Sequence, residues 1–469
     1  MTYSLFDCVS PLDFRYYGPD TGLRQMLDPY VTEAGRVGSE AMVEAAAVRV
    51  LARRGVCSEA IAQEVADAAE AVTADEVAAE EARIHHNIRA LVNVIRGKVS
   101  DEARPYVHLC LTSFDVVDTA TAWRLQQAAR KAVLPTLADL QRALISLARR
   151  EAGQVQMGRT HGQHAVPITF GFSLVGFISR LQGRMEAIAT AAEGLCGKLS
   201  GAVGAYNASS LFFDDPEQFE AEVLAELGLK PSPSSTQIAE PEAVADYMHA
   251  LVSTFGVLAD LADDMRQLQR TEIAEVGERF EADQVGSSTM PHKRNPWNFE
   301  NVKSMWKTFV PRMGTVYADQ LSEHQRDLTN SASSRFNPEL IVALVSSVQR
   351  LTRIMAKLVT DVQRMEQNFA MTAGMVAAEP AYILLASLGH PDAHEAMRKL
   401  TLQAQASGRP LWDLLSEDPE LAPYLERLTD QQIAMLRNPH SYTGVAEKKT
   451  LKLCDECSER LDVLMKQID

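Results

Sequence analysis

Apolar residues recur along this chain at steps of three and four, the period of one helix face. The first long stripe runs through Leu125, Ala129, Val133, Leu137, Leu140, Leu144 and Leu147. A second takes Phe170, Leu174, Phe177, Leu181, Met185 and Ile188, and a third runs from Val244 through Met248, Leu251, Phe255, Leu258, Leu261 and Met265 to Leu268. The fourth comprises Leu340, Leu344, Val348, Leu351, Ile354, Leu358, Val362 and Met365. Segments of about 25 to 30 residues at 1.5 Å per residue predict helices roughly 40 Å long. Helices of that length pack side by side, so the pattern predicts an elongated bundle. Pro135 is expected to bend the first of them rather than end it. Residues 28–100 are Ala-rich with helical spacing, broken at Gly55 and near Gly97, and predict a helical N-terminal region. After Met365 the long period stops. Shorter pieces around Gly389-His-Pro391, Gly408-Arg-Pro410 and Asn438-Pro-His440 predict a small C-terminal helical domain. The expectation is an all-α chain of three helical domains, at 1–111, 112–365 and 366–469, with a polar loop at 284–300. Several stripes carry apolar or small residues on more than one face, as over 166–178, which predicts association between subunits.

Composition narrows the possible partners. The 469 residues are long enough for two or three domains, and 46% hydrophobic with 23% charged residues is ordinary for a globular chain. The net charge of -16 argues against nucleic acid or an anionic membrane as main partner, since both need a basic surface. Residues 1–18 lack a basic stretch followed by an apolar run, and no apolar run elsewhere reaches membrane-spanning length. A cytoplasmic protein is expected. Six scattered cysteines show no disulfide framework; Cys454 and Cys457 form a single CxxC without the second pair that zinc needs, and read as inert helical thiols. No dinucleotide fingerprint, P-loop or paired-metal carboxylate cluster is present, so no metal or organic cofactor is expected.

Four polar stretches interrupt the helical pattern. Gly286-Ser-Ser-Thr-Met-Pro-His-Lys-Arg-Asn-Pro296, running on to Glu300, is too polar for core and too rich in reactive groups for a spacer. It reads as a lid that carries chemistry. His108-Leu-Cys-Leu-Thr-Ser-Phe-Asp115 precedes the first long helix, where Thr112 and Ser113 suit either a helix cap or a carboxylate. Gly158-Arg-Thr-His-Gly-Gln-His-Ala165 forms a turn before the second; His161 and His164 are a metal pair only on paper, because no carboxylate cluster completes the site. In Gln325-Arg-Asp-Leu-Thr-Asn-Ser-Ala-Ser-Ser-Arg335, the arginines taken alone read as solvated charges.

Together these stretches change the reading. The pattern Gly-Ser-Ser-x-Met-Pro-x-Lys-x-Asn-Pro resembles the signature loop of the fumarase/aspartase superfamily, whose members eliminate fumarate or a relative from a substituted succinate. Within it the chain is most similar to the adenylosuccinate lyase family, through Ser10-Pro-Leu-Asp-Phe-Arg-Tyr16, Gly197-Lys-Leu-Ser-Gly-Ala-Val-Gly204, Thr236-Gln237, Gln325-Arg-Asp-Leu-Thr329 and Asn438-Pro-His-Ser-Tyr-Thr-Gly444. That resemblance implies Ser288 as general base once the loop closes, with Lys293 beside it. It implies His161 as general acid, oriented by Glu300, since imidazole titrates near neutrality. Thr112, Ser113, Thr160, Lys293 and Asn295 are implied for the succinyl carboxylates. Arg15, Tyr16, His86, Gln237, Arg326, Ser331 and Arg335 are implied for the nucleotide, and His108 for its phosphate or carboxylate end. It also implies a homotetramer whose sites each draw on three subunits.

The chain departs from the family at three places. Asn87 follows His86 where an aspartate is usual, and Val166 and Ser173 stand where many relatives have a glutamate and a lysine. The alternative within the superfamily is a lyase or cycloisomerase of another succinate or muconate derivative. The alternative outside it is a non-catalytic helical assembly protein, which has no use for a reactive loop.

Overall fold

The computed structural model describes residues 4–279, 289–290 and 292–468. The catalytic serine expected at Ser288 therefore lies outside the described residues, as do Gly286, Ser287 and Pro291 of its loop.

The N-terminal helices are α1 (Thr21–Val31), α2 (Glu33–Arg53), α3 (Glu59–Glu70), α4 (Ala74–Ile84) and α5 (Asn87–Gly97). Side-chain oxygens of Thr32, Ser58 and Thr73 accept backbone N–H groups at the starts of α2, α3 and α4. Each cap satisfies a donor that the helix leaves open. The residue Gly55, at φ 77, takes a left-handed turn after α2.

The long bundle follows the sequence period closely. Helix α6 (Ser113–Ala128) continues through a π-helical turn, Ala129–Val133, into α7 (Leu134–Arg150). The extra residue of that turn sits just before Pro135, whose ring and missing N–H an unbroken α-helix does not tolerate. All seven residues of the first stripe are buried. Helices α8 (Phe170–Glu193) and α10 (Glu242–Leu268) pack against one another, with the short α9 (Pro216–Glu226) between them in sequence. Then come α11 (Trp297–Phe309), α12 (Arg312–Ala318) and α13 (Asn337–Met355), and α13 packs on both α7 and α10. Each fully buried Leu, Ile, Phe or Met of these stripes stabilises the bundle by about 1.5–3 kcal/mol.

The fourth stripe ends sooner than its period suggests. Helix α13 stops at Met355, Val359–Thr360 pairs antiparallel with Val276–Gly277, and a new helix begins at Val362, which is exposed. β-branched residues at 359 and 360 favour the extended pairing. Asp361 then caps the next helix by accepting from Arg364 N. The turn expected at 158–165 is the tip of a β-hairpin: β1 (Val155–Thr160) pairs antiparallel with β2 (Gln163–Thr169). A register break lies between Met157 and Arg159, and a Cβ on Gly158 would sit 2.5 Å from Val166 O.

Residues 377–436 gather a small core of their own around Leu385, Met397, Leu400, Leu411 and Leu415. The last helix, Ala446–Ile468, instead joins the main core and lies against α7 and α8, so the chain beyond residue 366 is divided between two cores. Its Cys454 and Cys457 are buried, and burial pushes the Cys454 thiol up to about 11. Among the described residues no single helix is long and apolar enough to cross a membrane.

Candidate functional site

A cavity of about 680 Å³ opens where the start of α6, the α4–α5 corner, the loop 237–241 and the segment 319–335 meet. His86, Thr112, Ser113, Gln237, Arg326, Ser331 and Arg335 all line it. These seven come from four separate stretches of sequence. His86 is the N-cap of α5, and its Nδ1 accepts from Arg89 N at 3.2 Å. Asn87, the first residue of that helix, is on the wall as well, so an amide stands on this wall where the resembled family usually has a carboxylate. Gln237 N donates to Gln325 O at 3.4 Å, which ties two walls together. Arg326 lies 4.8 Å over the ring of Phe114, and its Nε is buried without a hydrogen-bond partner. A guanidinium held on a ring and short of an acceptor is prepared for an anionic ligand.

Behind this cavity the start of α6 is fixed from below. Asp115 accepts from Thr112 N at 2.8 Å and from Gly201 N at 3.2 Å, and forms an ion pair with Lys198 in which both side chains are fully buried. Lys198 Nζ also donates to Gly201 O at 3.2 Å, and Thr119 Oγ1 donates to Lys198 O at 2.9 Å. The Gly197–Gly204 motif is thus a brace for Thr112 and Ser113. On the cavity wall beside them stands Asp118, which no sequence motif marks. Its Oδ2 accepts from Ala239 N at 2.9 Å, and burial pushes its pKa up to about 6, against the pull of that N–H, Lys198 and Arg326. Its position one turn beyond Phe114 on a helix whose start was already singled out is the signal that could have found it.

A second cavity, about 500 Å³, is lined by Arg15, Tyr16, Trp297, Glu300, Asn301, Ser304 and Arg350. Arg15 and Tyr16 belong to the π-helical turn Leu12–Tyr17, and Glu300 to the first turn of α11. Tyr16 Oη accepts from Asn301 Nδ2 at 3.2 Å.

The remaining candidates among the described residues line neither cavity. His161 and Gly162 form the two-residue tip of the hairpin with φ of 54 and 74, and Thr160 precedes them; all three are exposed. Positive φ at a histidine is uncommon, and here it holds the imidazole at the very end of a stiff ribbon. The ribbon is anchored by Arg159 and Gln156, both bonded to buried Glu275 at 2.6 and 2.8 Å. His164 is an anchor too, its Nδ1 2.8 Å from Thr372 Oγ1, and burial, aided by Arg159, lowers its pKa. Among the described residues no three His, Cys, Asp or Glu side chains gather as a metal site would require. Lys293 is exposed and Asn295 half-buried on the loop that leads into α11. His108 sits at φ 67 with Nδ1 2.6 Å from Glu44 Oε1; burial opposes its protonation, but the charge of Glu44 outweighs that and raises its pKa. Glu44, not a ligand surface, is its partner in this chain.

Comparison with known proteins agrees with the motifs. A family model described as lyase matches residues 15–308, and one described as adenylosuccinate lyase C-terminal matches residues 322–436. The adenylosuccinate lyase of Pyrococcus horikoshii is 33% identical over 461 residues, covering 96% of this chain and 99% of that protein. That of Archaeoglobus fulgidus is 31% identical over 451 residues, covering 94% and 97%. Among solved structures, 3-carboxy-cis,cis-muconate lactonizing enzyme from Pseudomonas putida superimposes with a TM-score of 0.79 at 27% identity, covering 93% of this chain and 99% of that one. Fumarate lyase from Mesorhizobium superimposes with a TM-score of 0.80 at 22% identity, a likeness of fold alone.

Proposed function

The chain belongs to the adenylosuccinate lyase family, within the fumarase/aspartase superfamily, and from that premise we propose that it eliminates fumarate from adenylosuccinate to give AMP. The same reaction on succinyl-aminoimidazole carboxamide ribotide gives the aminoimidazole carboxamide ribotide, as in purine biosynthesis. The observation that carries the reading is the first cavity, where hydroxyls, an amide, a histidine and two arginines meet in a space of nucleotide size.

The chemistry follows from what the elimination demands. Ser288, as alkoxide, removes a proton from the succinyl carbon next to a carboxylate; the electron pair forms the C=C bond of fumarate as the C–N bond breaks. His161 gives its proton to the departing nitrogen. Glu300 orients that imidazole. The intermediate is a multiply charged carbanion, so Lys293, Asn295, Thr112, Ser113 and Thr160 serve as preorganised donors on its carboxylates. Arg15, Tyr16, His86, Gln237, Arg326, Ser331 and Arg335 hold the nucleotide.

One chain separates these groups among two cavities, a hairpin tip and a loop, which supports sites shared by several chains of a homotetramer. Leu211, Leu321, Leu328 and Met371, each at least 70% exposed, support burial between chains. The protein is proposed to work in the cytoplasm, with residues 1–111, 112–365 and 366–445 as units and the last helix part of the bundle. The direct test is to mix the purified protein with adenylosuccinate and follow loss of the N-substituted purine absorbance. An unchanged spectrum at micromolar enzyme would sink the proposal.

A further inference from the structure

The second cavity holds a cation that no motif marks. Arg350, half-buried on α13, donates from Nη1 to Asn298 Oδ1 at 2.7 Å and lies 5.3 Å from the ring centre of Trp297. Asn298 is itself fastened: its Nδ2 and backbone N donate to Glu278 at 2.6 and 3.0 Å. Glu278 also accepts from Phe299 N at 3.2 Å. Two of the N–H groups that begin α11, those of Asn298 and Phe299, are therefore already satisfied by a carboxylate, and the main pull on an anion at this cavity comes from guanidiniums. Arg15 supplies the second. Neither Arg15 nor Arg350 makes an ion pair with a described residue, although Glu300 shares the rim. Burial, then the like charges of Arg353 and Arg15, pull the Arg350 pKa below its ordinary value. Two cations that face one small space, one of them clamped from behind by Asn298 and an indole, are at lowest energy with an anion between them. A phosphate monoester fits better than a single carboxylate: its double charge matches two guanidiniums, and its three terminal oxygens accept from both planar forks.

We propose that Arg350 is a substrate-binding residue which, with Arg15, grips the 5′-phosphate of the nucleotide in the second cavity; the inference rests on the adenylosuccinate reading above. Trp297 holds the plane of the Arg350 fork, and Asn298 and Glu278 hold its direction.

The test compares AMP with adenosine, measured by calorimetry on the full-length protein and its variants. R350Q is expected to weaken AMP binding by about 30-fold and to leave adenosine within about twofold, the size of effect a charged hydrogen-bonded pair gives. R350K, which keeps the charge and loses the fork, should recover part of the AMP affinity and no more. In turnover, the loss should fall on the KM for adenylosuccinate, with kcat nearly unchanged. AMP affinity unaffected by R350Q overturns the inference, and so does an equal loss for AMP and adenosine, which would mark Arg350 as structural only. A wild-type chain that neither binds AMP nor cleaves adenylosuccinate removes the functional reading first and this subsite with it.

Discussion

Asp118 is where a single side chain's environment gives a pH-dependent expectation. Its carboxyl is held near a pKa of about 6, above its ordinary 3.8, chiefly because the folded protein buries it. A pKa raised by folding means the protonated form is favoured in the native state. That contribution to stability is complete below about pH 4 and is lost as pH rises through 6. D118N keeps an oxygen for Ala239 N–H and cannot ionise, so it should raise stability over wild type by about 1–3 kcal/mol at pH 7.5. The advantage should vanish near pH 4, and urea unfolding at the two pH values checks it; an equal advantage at both would refute the assignment. For the chemistry itself, S288A and H161A should each cut turnover at least about a hundredfold, as loss of a general base or acid does. Near-normal rates in either variant would remove that role. Residues such as His86 and Arg326 were legible because motifs carry them. Arg350 and Asp118 were not: one sits on a helix whose stripe drew attention to its apolar face, the other behind a capping motif, and only packing reveals what each faces.

Among the elements, the hairpin and the start of α6 show how local sequence aims a reactive group. The strands of β1 and β2 turn at His161-Gly162, and the sequence made this turn visible while hiding the ribbon, because Val155 to Thr169 lacks a clean alternation of apolar and polar residues. The stripes of α7, α8 and α10 were plain because every third or fourth residue faces one core. The break after Met355 was hidden for the converse reason: Leu358, Val362 and Met365 keep the period across a gap that strand pairing imposes. The brace under α6 yields the prediction at this scale. Lys198→Met leaves Asp115 buried without its partner and should destabilise the protein by about 3–5 kcal/mol. D115N combined with K198M removes both charges and should recover most of that loss. Thermal unfolding of the three variants is the measurement. A double variant no better than K198M would mean that the pair's geometry, rather than charge balance, secures Thr112 and Ser113.

At the scale of the whole molecule, a site shared between chains would leave no chain able to complete one alone. His161 on an exposed hairpin tip, Glu300 on the rim of one cavity and Thr112 in another are the groups that such a shared site would bring together. If Ser288 and His161 of one site come from different chains, two inactive variants repair each other. Purified S288A and H161A, mixed, dissociated and reassembled, should regain activity up to about a quarter of wild type, since about that share of sites draws both side chains from unaltered copies. The gain should appear only after dissociation, and dilution of the wild type to concentrations where it falls to monomers should abolish turnover altogether. A reassembled mixture as inactive as its components would instead place both groups in the same chain, and the shared-site architecture would have to be abandoned while the chemistry stood. If each site draws on groups from several chains, activity in this protein is expected to track assembly rather than folding.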